Sequence, residues 1–350
     1  MRHHLRPLHT HPLRVGGRVG PRGAGLLLAA GLLTLCALRA PAEDPLSLSV
    51  GARFGAFYGV ANEYVYYPAI SAGYKISQLV WPLAPMFYSG AGLSLDTAIG
   101  IFVTLDVRQG FAGVAGTMTD SDFLNFDGVR TNYSQSDSYA ERANLVDVRA
   151  GYDFYRTDTL SIGAFGAFSY MDLKWSARDG YYQYPPPGQT SPNYTPWSPS
   201  ETKVPLYGTG IVYETAYAGG SLGLRARWAL SSAFMLEGSF AFTPLLGAST
   251  EDNHLMRQLD FYSTLSGGLM VEPRVAVTWM FFSRAHLKLE VGYRYAWNLK
   301  GDLTSVNTGT TDYSTSYPYA AGPDSTSTET GASGADFSAL DVDLMLSISL

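Results

Sequence analysis

Two short stretches carry side chains that could do chemistry together. Met118-Thr119-Asp120-Ser121-Asp122-Phe123 holds two carboxylates at i and i+2. Ser249-Thr250-Glu251-Asp252-Asn253-His254 holds an aspartate and a histidine at the same spacing. In an extended backbone successive side chains alternate faces, so each pair shares a face, roughly 7 Å apart along the strand. Asp252 can fix the imidazole of His254 and hold it as a general base for water. Two crowded carboxylates, Asp120 and Asp122, can share a proton or orient that water. Taken singly, each pair reads more readily as a solvated acidic loop. His286, the other histidine beyond the first 42 residues, lies beside a short turn and reads as structural. The one cysteine is Cys36, so a cysteine nucleophile further along the chain is excluded.

The first 42 residues are of another kind. They hold six arginines, four histidines and no acid, followed by the apolar run Ala24-Gly25-Leu26-Leu27-Leu28-Ala29-Ala30-Gly31-Leu32-Leu33 and the ending Ala40-Pro41-Ala42. A basic region, an apolar core and a small-x-small ending predict a secretory signal over 1–42, cleaved near Ala42–Glu43. The cluster His3, His4, His9 and His11 would leave with it, so no metal site is expected there. Leu33-Thr34-Leu35-Cys36 has the outline of a lipidation box, but the bulky Leu35 argues against lipidation. Without the signal's six arginines, 18 of the 24 basic side chains remain against 30 acidic ones, a formal charge near −12. Such a chain is not expected to bind nucleic acid.

The elements that must position the two pairs are strands. Leu46, Leu48, Val50, Ala52 and Phe54 alternate with Ser47, Ser49, Gly51 and Arg53. Val146, Val148, Ala150, Tyr152 and Phe154 alternate with Asp147, Arg149, Gly151 and Asp153. Leu287 to Tyr295 and Leu340 to Leu350 repeat the pattern. Period-two alternation gives each segment one apolar and one polar face. These segments run to roughly 15–20 residues, well past the usual globular strand of about 5 or 6. Charges such as Asp106, Arg108, Asp147, Arg149, Lys288 and Glu290 fall mid-segment on one face. A closed transmembrane barrel accounts for both features: apolar residues face lipid, charges face a wet interior, and closure satisfies the backbone. Tyr58, Trp81, Trp175, Trp228, Trp279 and Trp297, near segment ends, are expected in interfacial girdles.

Ten strands follow, at about 46–66, 74–94, 98–118, 139–156, 159–178, 210–228, 232–252, 260–280, 285–302 and 335–350. Long polar connections at 119–140, 179–212 and 304–335 read as surface loops. The expectation is an all-β protein, a ten-stranded antiparallel transmembrane β-barrel with long extracellular loops, forming one domain over 43–350. Both acidic stretches then cap strands at the same end of the barrel.

At these motifs the sequence resembles a known family. Lys75-Ile76-Ser77-Gln78-Leu79-Val80-Trp81, Met118 to Phe123 and Asp252-Asn253-His254, on ten strands with five outer loops, resemble the omptins, outer-membrane proteases of Gram-negative bacteria. The resemblance implies an aspartyl-type endopeptidase at the cell surface, in which water held between Asp120/Asp122 and Asp252/His254 attacks a peptide carbonyl. It places the specificity glutamate at Glu63, in Asn62-Glu63-Tyr64-Val65-Tyr66, facing a basic residue of the substrate, and puts Met118 and Thr250 in the substrate-binding set. It implies no cofactor and no metal. The implied partners are extracellular peptides or proteins and outer-membrane lipid.

Two features depart from the family. Its second specificity acid, two before the dyad aspartate, is Thr250 here, with Glu251 one step out of register. Its lipopolysaccharide motif, tyrosine-x-glutamate-x-arginine, falls on Phe168, Tyr170 and Asp172, none of which matches, so dependence on that lipid is not expected. The competing reading is an inactive barrel of the same kind serving as an adhesin or a small pore.

Overall fold

A computed structural model describes residues 46–67, 73–313 and 321–350. The signal assigned to 1–42, with Cys36 and the four N-terminal histidines, lies outside the described residues. Eleven antiparallel strands follow one another: β1 Leu46–Tyr67, β2 Tyr74–Thr97, β3 Ile101–Gly110, β4 Gly113–Asp122, β5 Asn132–Arg156, β6 Leu160–Gln183, β7 Val204–Ala229, β8 Phe234–His254, β9 Leu259–Met280, β10 Ala285–Asn307 and β11 Ser325–Ser349. Consecutive strands pair, except that β3 and β4 each pair with β2 and β5 and not with one another, and β1 pairs with both β2 and β11, so the sheet closes on itself.

The count differs from ten because one strand is broken. β3 pairs with the lower part of β2 (Phe102–Gly110 against Asp96–Tyr88), whereas β4 pairs with its upper part (Thr119–Asp122 against Val80–Ser77). Both also pair with β5, so they occupy a single position in the ring. The break falls in the glycine-rich Gly110-Phe111-Ala112-Gly113-Val114-Ala115-Gly116. Gly116, at φ 116°, supplies the positive φ of the irregularity that re-aims β4.

Along the lower part of the barrel the outward positions are exposed and apolar: Val50, Phe54 and Tyr58 on β1, Leu222 and Leu224 on β7, Phe240, Phe242 and Leu245 on β8, Leu344 and Leu346 on β11. Above Leu245, β8 turns Ser249, Glu251 and Asn253 outward instead. The strands therefore stand clear of the lipid belt at the loop end. There β5, β6, β7, β10 and β11 run well into stretches expected as loops, leaving connections of only 123–131, 184–203 and 308–324. Above the membrane neither face of a strand must be apolar, so the alternation that marks the lower strands is absent.

The interior is packed rather than wet. Arg53 binds Asp343 and Asp106 at 2.8 Å each, Arg108 binds Asp341 at 2.6 Å, and Arg274 binds Glu290 at 2.6 Å. Arg294 bridges Glu272 and Asp147 in the same layer. These charges are nearly all buried. Unpaired they would be prohibitive, so they neutralise one another. Above them Phe57, Tyr88, Trp81, Trp175, Tyr213, Leu173 and Phe337 fill the cross-section. Trp81 and Trp175 are therefore core residues and not girdle residues. Trp81 stacks on Tyr213 at 5.3 Å, and the Trp175 indole N–H donates to the Pro82 carbonyl at 2.9 Å. Trp228 and Trp279 are exposed, as a girdle requires.

Candidate active site

The site lies above this aromatic layer and beyond the lipid belt. Register sets its levels. Glu63 on β1 lies opposite Leu79 on β2, which lies opposite Asp120 on β4, and Val65, Ser77 and Asp122 form the next level up. Across the barrel, Asp252 on β8 is flanked by Tyr213 on β7 and Phe261 on β9. Each i, i+2 pair thus points inward from a strand end. Glu63, Asp120, Asp122, Asp252 and His254 line one cavity of about 730 Å³, with Ser77, Arg257 and a largely apolar wall.

His254 Nε2 lies 2.7 Å from Asp252 Oδ2, and the two side chains are only 11% and 4% exposed. The edge of the imidazole meets the Phe261 ring at 5.2 Å. On the opposite wall the Ser77 hydroxyl donates to Asp120 Oδ1 at 3.3 Å. Glu63 Oε2 and Asp252 Oδ1 are buried with no hydrogen-bond partner among the described residues.

Burial dominates the electrostatics. It holds the Asp120 carboxyl well above the usual carboxylate range, and the neighbouring Asp122 charge adds to this. Asp122 is raised by burial against the pull of Arg257, and Asp252 is raised well above its ordinary value in the same way. Burial lifts Glu63 strongly, reinforced by Asp252 and Asp120. His254 is pushed down to about 3 by burial and by Arg257, against the opposing charges of Asp122 and Asp260. The imidazole is therefore neutral at ordinary pH, as a general base must be.

Two expected positions fall elsewhere. Met118 is 1% exposed within the core, and Thr250 is buried two residues below Asp252; neither lines the cavity. His286 pairs with Ser349 at the opposite end of the barrel, at 3.2 Å. Arg257 and Ser77 did not emerge from sequence reasoning. Arg257 reaches the site through the tight β8–β9 turn, where its N–H bonds the His254 carbonyl at 3.0 Å and Gln258 adopts φ 57°. A cation three residues past the histidine was the available signal. Among the described residues no three His, Cys, Asp or Glu side chains converge to hold a metal ion.

A closed, plugged barrel with an apolar belt and an acidic, histidine-bearing cavity at its loop end defines an outer-membrane protein with a candidate site beyond the belt. The match of the Omptin family model to residues 44–337 agrees, and the chain belongs to the omptin family. A plasminogen activator of Yersinia pestis is 25% identical over 233 residues, covering 65% of this chain and 69% of the relative. The crystal structure of the outer membrane protease OmpT from Escherichia coli has the same fold, with a TM-score of 0.74 at 16% identity, over 87% of this chain and 97% of that one.

Proposed function

We propose that the protein is a cell-surface endopeptidase that cuts extracellular peptides or proteins beside a basic residue, using water activated between Asp252–His254 and Asp120–Asp122. The observation that carries this reading is convergence: both i, i+2 pairs and Glu63 line one cavity, with His254 held 2.7 Å from Asp252. Asp252 fixes the imidazole through Nε2, which leaves Nδ1 to take a proton from water as its oxygen attacks the peptide carbonyl. The raised acid pair retains a proton that can pass to the leaving nitrogen as the C–N bond breaks. Glu63 supplies selectivity. Buried without a cation, its carboxyl favours the proton; an entering lysine or arginine favours the charged form and pairs with it.

The test is detergent-folded protein on a peptide library, with His254→Ala alongside. Removing a general base should lower turnover by about 10²–10⁴-fold. The folded barrel should still change gel mobility on heating. Equal activity in the variant, or a covalent acyl-enzyme trapped with substrate, would sink the mechanism. The inactive-barrel reading requires that the wild type cut no member of the library. A pore is disfavoured by the filled cross-section.

A further inference from the structure

We infer that Phe126, with Tyr67 and Tyr194, forms a second specificity subsite in this cavity, one that takes an aromatic or branched aliphatic side chain from the residue adjoining the basic one; this rests on the endopeptidase reading.

The starting observation is strain. Phe126 adopts φ 61°, the left-handed region that bulky side chains avoid. Glycine would hold that backbone without cost, and Gly128 does so two residues on, at φ 80°. A phenylalanine in this conformation is there for its ring, and strained residues persist where their surroundings fix them. The ring stacks on Tyr67 at 5.3 Å and meets the edge of Tyr74 at 5.8 Å, while Phe126, Tyr67, Tyr194 and Leu124 all line the cavity.

The surroundings are unusually firm for a surface loop. The Asn125 amide donates to the Tyr194 carbonyl and accepts from the Tyr194 N–H, both at 2.8 Å. The Ser191 hydroxyl donates to the Leu124 carbonyl at 2.7 Å, and the Trp197 N–H to the Arg130 carbonyl at 2.8 Å. Arg130 also lies 4.9 Å from each of the Tyr133 and Trp197 rings. The proline-bearing loop 184–203 thus braces the loop that carries Phe126. The result is a rigid apolar wall above the acid pair.

Levels then assign the occupant. Tyr67 is four residues above Glu63 on the same inward face of β1, about 13 Å along the strand. Side chains of an extended peptide alternate. If one residue points down to Glu63, its neighbour points up, toward the Phe126 wall.

The experiment uses peptides with one fixed lysine and Phe, Leu, Ala or Asp at each adjoining position. Cleavage is measured with wild type, Phe126→Gly and Phe126→Leu. Binding of the same peptides is measured by fluorescence anisotropy with His254→Ala, alone and combined with Phe126→Gly. Wild type should prefer Phe or Leu over Ala at one adjoining position by at least about tenfold. Phe126→Leu should keep that preference and Phe126→Gly should lose it, with selectivity for the basic residue unchanged. Phe126→Gly relieves the backbone strain, so its heat-shift temperature should not fall. Uniform cleavage and binding at both adjoining positions, or a preference that survives in Phe126→Gly, would overturn the subsite. Selective binding by His254→Ala without any cleavage by wild type would instead overturn the endopeptidase reading and leave the subsite standing.

Discussion

At the scale of single residues, the Arg257 charge bears on four titratable groups of the cavity, Asp120, Asp122, Asp252 and His254. Asp120, Asp122, Asp252 and His254 could be placed on shared faces because i, i+2 spacing survives any register. Arg257 could not, because its position depends on a four-residue turn, 255–258, folding back over His254. Its charge favours the ionised form of all three aspartates and the neutral form of the histidine. A neutral His254 held by an ionised Asp252 extends activity toward acid, while burial still leaves the Asp120–Asp122 pair the proton it passes on. Arg257→Gln should therefore raise the pKa of His254 and of the carboxyls together, moving the acid limb of the pH–kcat/KM profile to higher pH. An unmoved limb would mean that Arg257 acts only by holding the turn. Glu63→Gln should lower kcat/KM for peptides with Lys or Arg by about 10–100-fold, since a charge-assisted bond contributes about 1.5–3 kcal/mol. Cleavage of apolar control peptides should stay level; a parallel fall there would place Glu63 in folding rather than selectivity.

At the scale of elements, alternation marks strands such as β1, β5, β10 and β11 inside the lipid belt and fails above it. Residues 132–138 of β5 and 204–209 of β7 are polar or mixed on both faces, because no hydrocarbon demands one apolar face there. The same gap hid the contact between loops 123–131 and 184–203, which lie within the 119–140 and 179–212 connections read from sequence as surface loops. Asn125 ties them with two hydrogen bonds to the Tyr194 backbone. Asn125→Ala should remove both, at about 1 kcal/mol each, and free loop 184–203 without opening the barrel. Limited proteolysis should then cut within 184–203 faster than in wild type, while the heat-shift temperature stays near the wild-type value. Equal nicking rates would show that Ser191 and Trp197 suffice to hold the loop.

At the scale of the whole molecule, closure was predictable from the belt, but the filling of the barrel was not. Alternation places charges inside without saying whether water or other charges meet them; that depends on cross-barrel partners more than 200 residues apart, such as Arg108 with Asp341 and Arg53 with Glu290. The pairing makes the lower interior a strut and not a conduit. Arg108 is 2% exposed, 2.6 Å from Asp341 and 3.8 Å from Asp147. Arg108→Met keeps much of the volume but leaves those carboxylates short of a counter-charge, a change that costs about 3–5 kcal/mol when a buried pair loses one member. The temperature at which the folded gel band converts should fall markedly. The double variant Arg108→Met with Asp341→Leu should recover part of the loss, because the stranded charge is removed as well. Peptide cleavage below that temperature should match wild type, since the aromatic layer separates the network from the candidate active-site cavity. In planar bilayers neither wild type nor the double variant should conduct, because Trp81, Trp175 and Tyr213 still close the lumen. A steady ion current through wild type, or an Arg108→Met barrel as stable as wild type, would show that water and not charge pairing fills the interior.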